Sequence, residues 1–304
     1  MKRFIRDILL FLMVLIAVFG SLEWIAESIP NSYTYKRDYL EHHHAQIRTL
    51  ILGSSYAYDG LSPKVLPKAF NLANSSQTPE DDYRLLARYI GSMDSLRTVI
   101  LGIGYGTLAD GAETHRRTYY TIYMDLYPRW PLNRNSFEIF NPELLTKKIV
   151  KYALSRDVTR CDSLGQRLGH DAAAAAQGAE LWNKDVAALV ANDRIDVAHS
   201  QQAIAHTTGY IDSIASLCAA HDVRLVLVVM PSQEEYRQLL PPEQVTAMDS
   251  LLAHLRDRAQ CINASDWPVP EDGWYNATHL TREASVAFSY WLQDTMHAII
   301  LEEK

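Results

Sequence analysis

Short apolar runs alternate with amphipathic stretches over most of this chain. Residues 49–53 (TLILG), 98–103 (TVILGI) and 224–230 (RLVLVVM) are nearly continuous in Leu, Ile and Val. Runs of that length are too short for surface helices and suit strands covered on both faces. Residues 69–73 (AFNLA) and 260–264 (QCINA) are weaker strand candidates. Helix candidates lie between them. Residues 79–90 begin with Thr78 as a cap and Pro79 at the first position. Residues 201–221 repeat apolar side chains at Ile204, Tyr210, Ile211, Ile214, Leu217 and Cys218, close to a 3.6-residue period. Residues 242–255 and 281–300 complete the set. The alternation predicts one doubly wound α/β domain around a parallel sheet.

Two regions break the pattern. Residues 8–22 (ILLFLMVLIAVFGSL) carry no charge and follow Lys2, Arg3 and Arg6. A basic flank and about fifteen apolar residues predict a membrane anchor, extended past Glu23 by Trp24 and Ile25. No small-x-small cleavage pattern follows, so the anchor is expected to be retained. The positive-inside rule keeps the N-terminus cytoplasmic and exports the remainder, giving a single-pass protein of the cytoplasmic (inner) membrane with a periplasmic domain. The expected division is an anchor at 1–25, a polar stalk or first helix at 26–48, and an α/β domain at 49–304. The His42-His43-His44 run in the stalk reads as a solvated face, because adjacent residues on a helix point apart.

The second break is an insertion at about 107–200. Its segment 116–130 (RRTYYTIYMDLYPRW) is dense in Tyr and reads either as helix packing or as a glycan-facing wall. Residues 171–179 are Ala-rich and read as a surface helix.

Composition narrows the function. The chain has 304 residues, 48% apolar and 21% charged, which is globular rather than disordered. Its net charge of −7, with no basic stripe after the N-terminus, argues against a nucleic-acid partner. The three cysteines, Cys161, Cys218 and Cys261, form no C-x-x-C pair and read as buried thiols. An exported domain would permit a Cys218–Cys261 disulfide. Gly102, Gly104 and Gly106 lack the G-x-G-x-x-G spacing, and no H-E-x-x-H, EF-hand or P-loop pattern is present. No metal or other cofactor is implied.

The chemistry concentrates at two places. Gly53-Ser54-Ser55 ends the first strand candidate, where α/β sheets place their reactive groups, Ser55 is the candidate nucleophile, and Asp59-Gly60 just after it reads as a turn. Near the C-terminus, Asn276-Ala-Thr-His279 precedes the last helix candidate. A His in that loop is placed to face a strand-end Ser and take its proton.

The pair resembles the SGNH/GDSL hydrolase family, whose blocks are G-[D/S]-S near the start and D-x-x-H before the final helix. The resemblance covers residues 49 to about 298. It implies a flavodoxin-like three-layer α/β/α sandwich with Ser55 as nucleophile, in preference to Ser54, and His279 as base. The family's second block supplies an oxyanion N–H from a Gly, and Ser76 occupies that place, with Asn74 and Gln77 beside it as further donors. The third block, G-x-N-D, is matched at Gly104, but Gly106 stands where the family has Asn. The acid of D-x-x-H is replaced by Asn276, with Asp272 and Asp266 as alternative acids.

The resemblance implies a membrane-anchored esterase or O-acyltransferase acting on acyl esters of a cell-envelope glycan. Its alternative is a catalytically degenerate member that binds or assembles envelope polysaccharide machinery with protein partners.

Overall fold

The computed structural model describes residues 1–108, 116–155, 159–168, 186, 190–191 and 200–302. The Ala-rich segment 171–179 lies outside them. The chain divides into two compact units, one of Met1–Tyr39 with His115–Arg160 and one of Leu40–Thr114 with Cys161–Lys304.

The larger unit is α/β. Five parallel strands, β1 (Thr49–Gly53), β2 (Ala69–Asn71), β3 (Thr98–Ile103), β4 (Arg224–Val229) and β5 (Gln260–Asn263), lie in the order β2-β1-β3-β4-β5. These are the five runs read from the sequence, each trimmed by no more than two residues. Every residue of β1 and β3 is buried, which is why their sequences show no polar alternation. Register pairs Leu50 with Phe70, Ile51 with Ile100, Leu101 with Leu227 and Val228 with Ile262. Each of these side chains contributes about 1.5–3 kcal/mol by leaving water.

Helix α2 (Ser32–His43), within the segment expected as a stalk or first helix, precedes β1 in the chain, and helices α3 (Ser55–Gly60) and α4 (Pro79–Tyr89) follow β1 and β2. In α4, Thr78 accepts from the Asp81 amide at 3.2 Å and Asp81 accepts from the Thr78 amide at 3.0 Å, a closed capping box. Asp59-Gly60, which reads as a turn, instead completes α3. An antiparallel hairpin of β6 (Trp274–Asn276) and β7 (His279–Leu280) precedes the last helix, Arg282–Glu302. All three cysteines are free thiols, so no Cys218–Cys261 bridge exists. Burial pushes the Cys218 thiol up to about 12, which makes it inert.

The smaller unit is built around the end of the apolar helix α1 (Lys2–Ser28), the one helix among the described residues long and apolar enough to cross a membrane. Beyond the apolar stretch α1 is anchored by polar contacts. The Glu23 carboxylate accepts from the Glu138 and Ile139 amides at 2.8 and 3.1 Å. Lys148, on helix Pro142–Ser155, donates to the Ala26 carbonyl at 2.5 Å, to Glu138 at 2.7 Å and to the Tyr123 hydroxyl.

The Tyr-rich segment is core to this unit. Tyr120 and Tyr123 are buried, and Tyr33 packs on Tyr119 and Tyr120 with ring centroids 5.1 and 5.2 Å apart. Of the two readings of that segment, packing therefore replaces the glycan wall for Tyr120 and Tyr123. Lys148→Met should destabilise this unit by about 3–5 kcal/mol, because the buried Glu138 loses its cation. Faster amide exchange across residues 116–155 would report it, and an unchanged rate would contradict the role of the pair.

Candidate active site

Sheet order reverses between β1 and β3, and ligands of open α/β sheets bind outside the strand C-termini at such a switch point. Ser55 is the first residue of α3, directly after β1 and Ser54. Gly53 allows the abrupt exit. Its φ is +123°, and a Cβ there would lie 2.2 Å from the Gly102 carbonyl oxygen of β3.

Ser55 and His279 are brought together by the fold, 224 residues apart in the chain. The Ser55 hydroxyl lies 2.8 Å from His279 Nε2, and His279 Nδ1 lies 2.8 Å from Asn276 Oδ1. The orientation of the Asn276 amide is fixed by its oxygen, which accepts from the Thr278 backbone amide at 3.1 Å. With oxygen toward the ring, Nδ1 carries the proton and donates, leaving Nε2 to accept from Ser55. Thr278 Oγ1 lies 3.0 Å from the same Nδ1. The open choice of ring partner is thereby resolved to Asn276. Asp272 sits exposed in a short 3-10 turn, and Asp266 is exposed after β5, so neither alternative acid takes that place.

A carboxylate does approach the ring, on its other side. Asp59 Oδ2 lies 4.0 Å from His279 Nε2, and Asp59 is buried. It pairs through Oδ1 with Arg167 Nε at 3.0 Å, and Arg167 also bonds the Ser75 hydroxyl. Residues 161–168 deliver Arg167: the Asn71 amide donates to the Leu164 carbonyl at 2.9 Å, and the Arg167 amide to the Tyr58 carbonyl at 3.2 Å. The turn reading of Asp59-Gly60 hides this role. A signal for it is present nonetheless, since position 59 is one helical turn from position 55 and shares its face. Arg167 has no such signal, because its segment has no periodicity.

Tyr56 is a further site residue that sequence reasoning does not single out. Its ring stacks on His279 at 5.4 Å with 13° between planes. Gly104 makes the space, since a Cβ there would meet the Tyr56 ring at 2.6 Å. The Gly104 amide donates to Thr107 Oγ1 at 3.1 Å, so Gly104 shapes the site and does not donate to an oxyanion.

The other expected oxyanion residues, Ser76, Asn74 and Gln77, differ in their surroundings. Ser76 has φ +55°, the left-handed conformation that glycine favours, which explains a Gly-like backbone at that position. Asn74 is buried, and its Nδ2 has no acceptor, a donor that costs about 1–3 kcal/mol unless something accepts from it. The Gln77 side chain instead donates at 2.5 Å to Asp82.

Asp82 also accepts from the Gly53 amide at 2.9 Å. Burial raises its carboxyl to about 7, against the opposing pull of the Gln77 and Gly53 hydrogen bonds. The folded state then holds a proton that the unfolded chain has lost above about pH 4. Stability from this group is fullest below about pH 4 and is lost as pH rises through about 7. Between about pH 5 and 8 the full chain should lose roughly 2–3 kcal/mol on this account. Denaturant midpoints of Asp82→Asn should lack that slope, and an equal slope in both proteins would refute the assignment.

Among the described residues, no group of three or more His, Cys, Asp and Glu side chains is placed to hold a metal. A scan against protein-family models gave no match, and a search of curated proteins gave none either.

Proposed function

We propose that this chain is a membrane-anchored serine esterase or O-acyltransferase of the SGNH/GDSL type, acting on acyl esters of a cell-envelope glycan. The observation that carries the proposal is the aligned relay Ser55–His279–Asn276, with both contacts at 2.8 Å. Other features support it. The order β2-β1-β3-β4-β5 is that of flavodoxin-like sandwiches, and the Ser and His blocks come in the family's chain order. Ser55 and Ser76 are half-exposed, so a substrate can reach them. The helix α1 would hold the catalytic unit at the outer face of the cytoplasmic membrane, facing a glycan that cannot diffuse away.

In this mechanism Ser55 Oγ attacks the acyl carbonyl and passes its proton to His279 Nε2. The tetrahedral oxyanion takes hydrogen bonds from the Asn74 amide and the Ser76 N–H. Collapse breaks the ester C–O bond, and the leaving alcohol takes the proton from His279. Water or a sugar hydroxyl then gives its proton to His279 and attacks the Ser55 acyl ester. The second collapse breaks the Ser55 Oγ–acyl bond, returns that proton to Ser55 Oγ, and releases the carboxylic acid or the new sugar ester. Asn276 holds the ring, and Asp59 offsets the charge of the imidazolium in both halves.

A fluorophosphonate probe tests the reading. It should label the full chain and fail to label Ser55→Ala. Absence of labelling in a folded wild-type protein would reject catalysis and favour the binding or assembly role.

A further inference from the structure

A cavity of about 420 Å³ in the larger unit takes no part in the Ser55 chemistry. Its wall comes from the segments that follow β4 and β5 and from Trp274 of β6. Both strands run parallel to β1, so these segments leave the same edge of the sheet as Ser55 does. Neighbouring strands lie about 4.8 Å apart, which puts β4 and β5 about 10–14 Å from β1 along that edge. The Gln233 amide donates to the Ala277 carbonyl at 2.7 Å, within the Asn276–His279 block. The cavity is thus beside the proposed relay and distinct from it.

Charge, an unmet hydroxyl and two indole rings define the ligand. Glu234, Glu235 and Asp266 are exposed on the wall. Arg237, the cation among the lining residues, donates to the Ser232 and Ser265 backbone carbonyls. Glu234 accepts from the uncharged Gln238 amide at 2.8 Å. Among the described residues, no ion pair joins a cation to these three carboxylates. Ser232 lines the same cavity, is 6% exposed, and its hydroxyl has no hydrogen-bond partner. A buried polar group in that state is costly, and a polar ligand would satisfy it. Trp267 packs edge-on against the buried Phe288, with ring centroids 5.2 Å apart, so its indole is fixed before a ligand arrives. Trp274 is half-buried.

Carboxylates without a neutralising cation repel an acidic ligand and attract a cationic one. Indole faces attract cations and cover apolar surface. A sugar with a free amine offers a cation, an apolar ring face and hydroxyls together. We propose that this cavity is a subsite for such an amino sugar, part of the same glycan whose ester reaches Ser55. The inference rests on the glycan-ester reading above and specifies that glycan as one carrying unacetylated amino sugars.

Calorimetry on full-chain Ser55→Ala in a neutral maltoside detergent tests it, with a glucosamine tetramer as probe at a pH where the amine is protonated. An N-acetylglucosamine tetramer and a galacturonic acid tetramer are the references. The glucosamine tetramer should saturate and bind about tenfold tighter than the acetylated one, and the acidic one should not saturate. Trp274→Ala should weaken binding about tenfold, and the Glu235→Gln/Asp266→Asn pair about fivefold. Ser232→Ala should weaken it about fivefold without lowering the unfolding midpoint, because the lost hydroxyl has no partner in the free protein. Asp94→Asn, an exposed carboxylate just before β3 at the opposite edge of the sheet, should leave affinity unchanged. If Trp274→Ala folds poorly, the carboxylate pair makes the comparison. Equal affinity for the acetylated tetramer, no saturation by the glucosamine tetramer, or unchanged affinity in the folded variants would overturn the subsite. Fluorophosphonate labelling of the wild type is a separate readout. Labelling without tetramer binding rejects the subsite and keeps the esterase, and binding without labelling keeps the subsite and rejects catalysis.

Discussion

Ser55→Ala is expected to reduce turnover of an activated ester such as p-nitrophenyl acetate by roughly 10⁴–10⁶-fold, with the residual rate set by binding and oxyanion contacts. The magnitude follows from the bond that is lost. Without Oγ there is no covalent intermediate, and His279 Nε2 has no hydroxyl at 2.8 Å to activate. His279→Ala should cost nearly as much, and the double variant hardly more than either single one, because the two side chains act as one unit. Multiplicative losses in the double variant would contradict that coupling. Circular dichroism should remain that of the wild type, since Ser55 is half-exposed and contributes little packing.

The second large effect concerns charge beside the imidazolium. Asn276 orients His279 without supplying charge, and in a serine protease the corresponding Asp-to-Asn change lowers kcat about 10⁴-fold. Here Asp59 lies 4.0 Å from Nε2. At that distance and an effective dielectric of about 20, a carboxylate and an imidazolium attract by about 4 kcal/mol. Arg167, paired with Asp59 at 3.0 Å, cancels part of that field. A net effect of roughly 10–100-fold remains, so Asp59→Asn should lower kcat by that factor with KM nearly unchanged. Asn276→Asp should raise kcat modestly in the wild type and by a larger factor in the Asp59→Asn background. Equal gains in both backgrounds would show that the two positions do not share the charge. An unchanged kcat in Asp59→Asn would remove Asp59 from the mechanism.

The two residues of the proposed relay are legible in the sequence because each sits in a short contiguous pattern. Gly53-Ser54-Ser55 closes an apolar run, and His279 stands just before a capped helix. The residues around them are not legible in the same way. Asp59 reads as part of a turn, since an Asp-Gly pair carries the local signal of a loop. Arg167 lies in an irregular segment whose position is set by bonds to β2 and α3. Gly104 reads as part of a donor block, whereas its missing side chain makes room for Tyr56.

The sequence by itself determined the five strand cores, the capping of α4, the apolar helix α1 and the chain order of Ser55 and His279. All of these depend on hydrophobic periodicity or capping chemistry within a few neighbouring residues, so local interactions suffice to specify them. Only the tertiary structure decided that Asn276 rather than Asp272 or Asp266 meets the His279 ring, and that Asp59 faces it from the other side. It also decided that the Tyr-rich segment packs within the unit built around the end of α1. Each of these is a contact between side chains whose pairing carries no local signal in the chain. Distance and burial in the closed fold, not residue type, set which carboxylate can act on the ring.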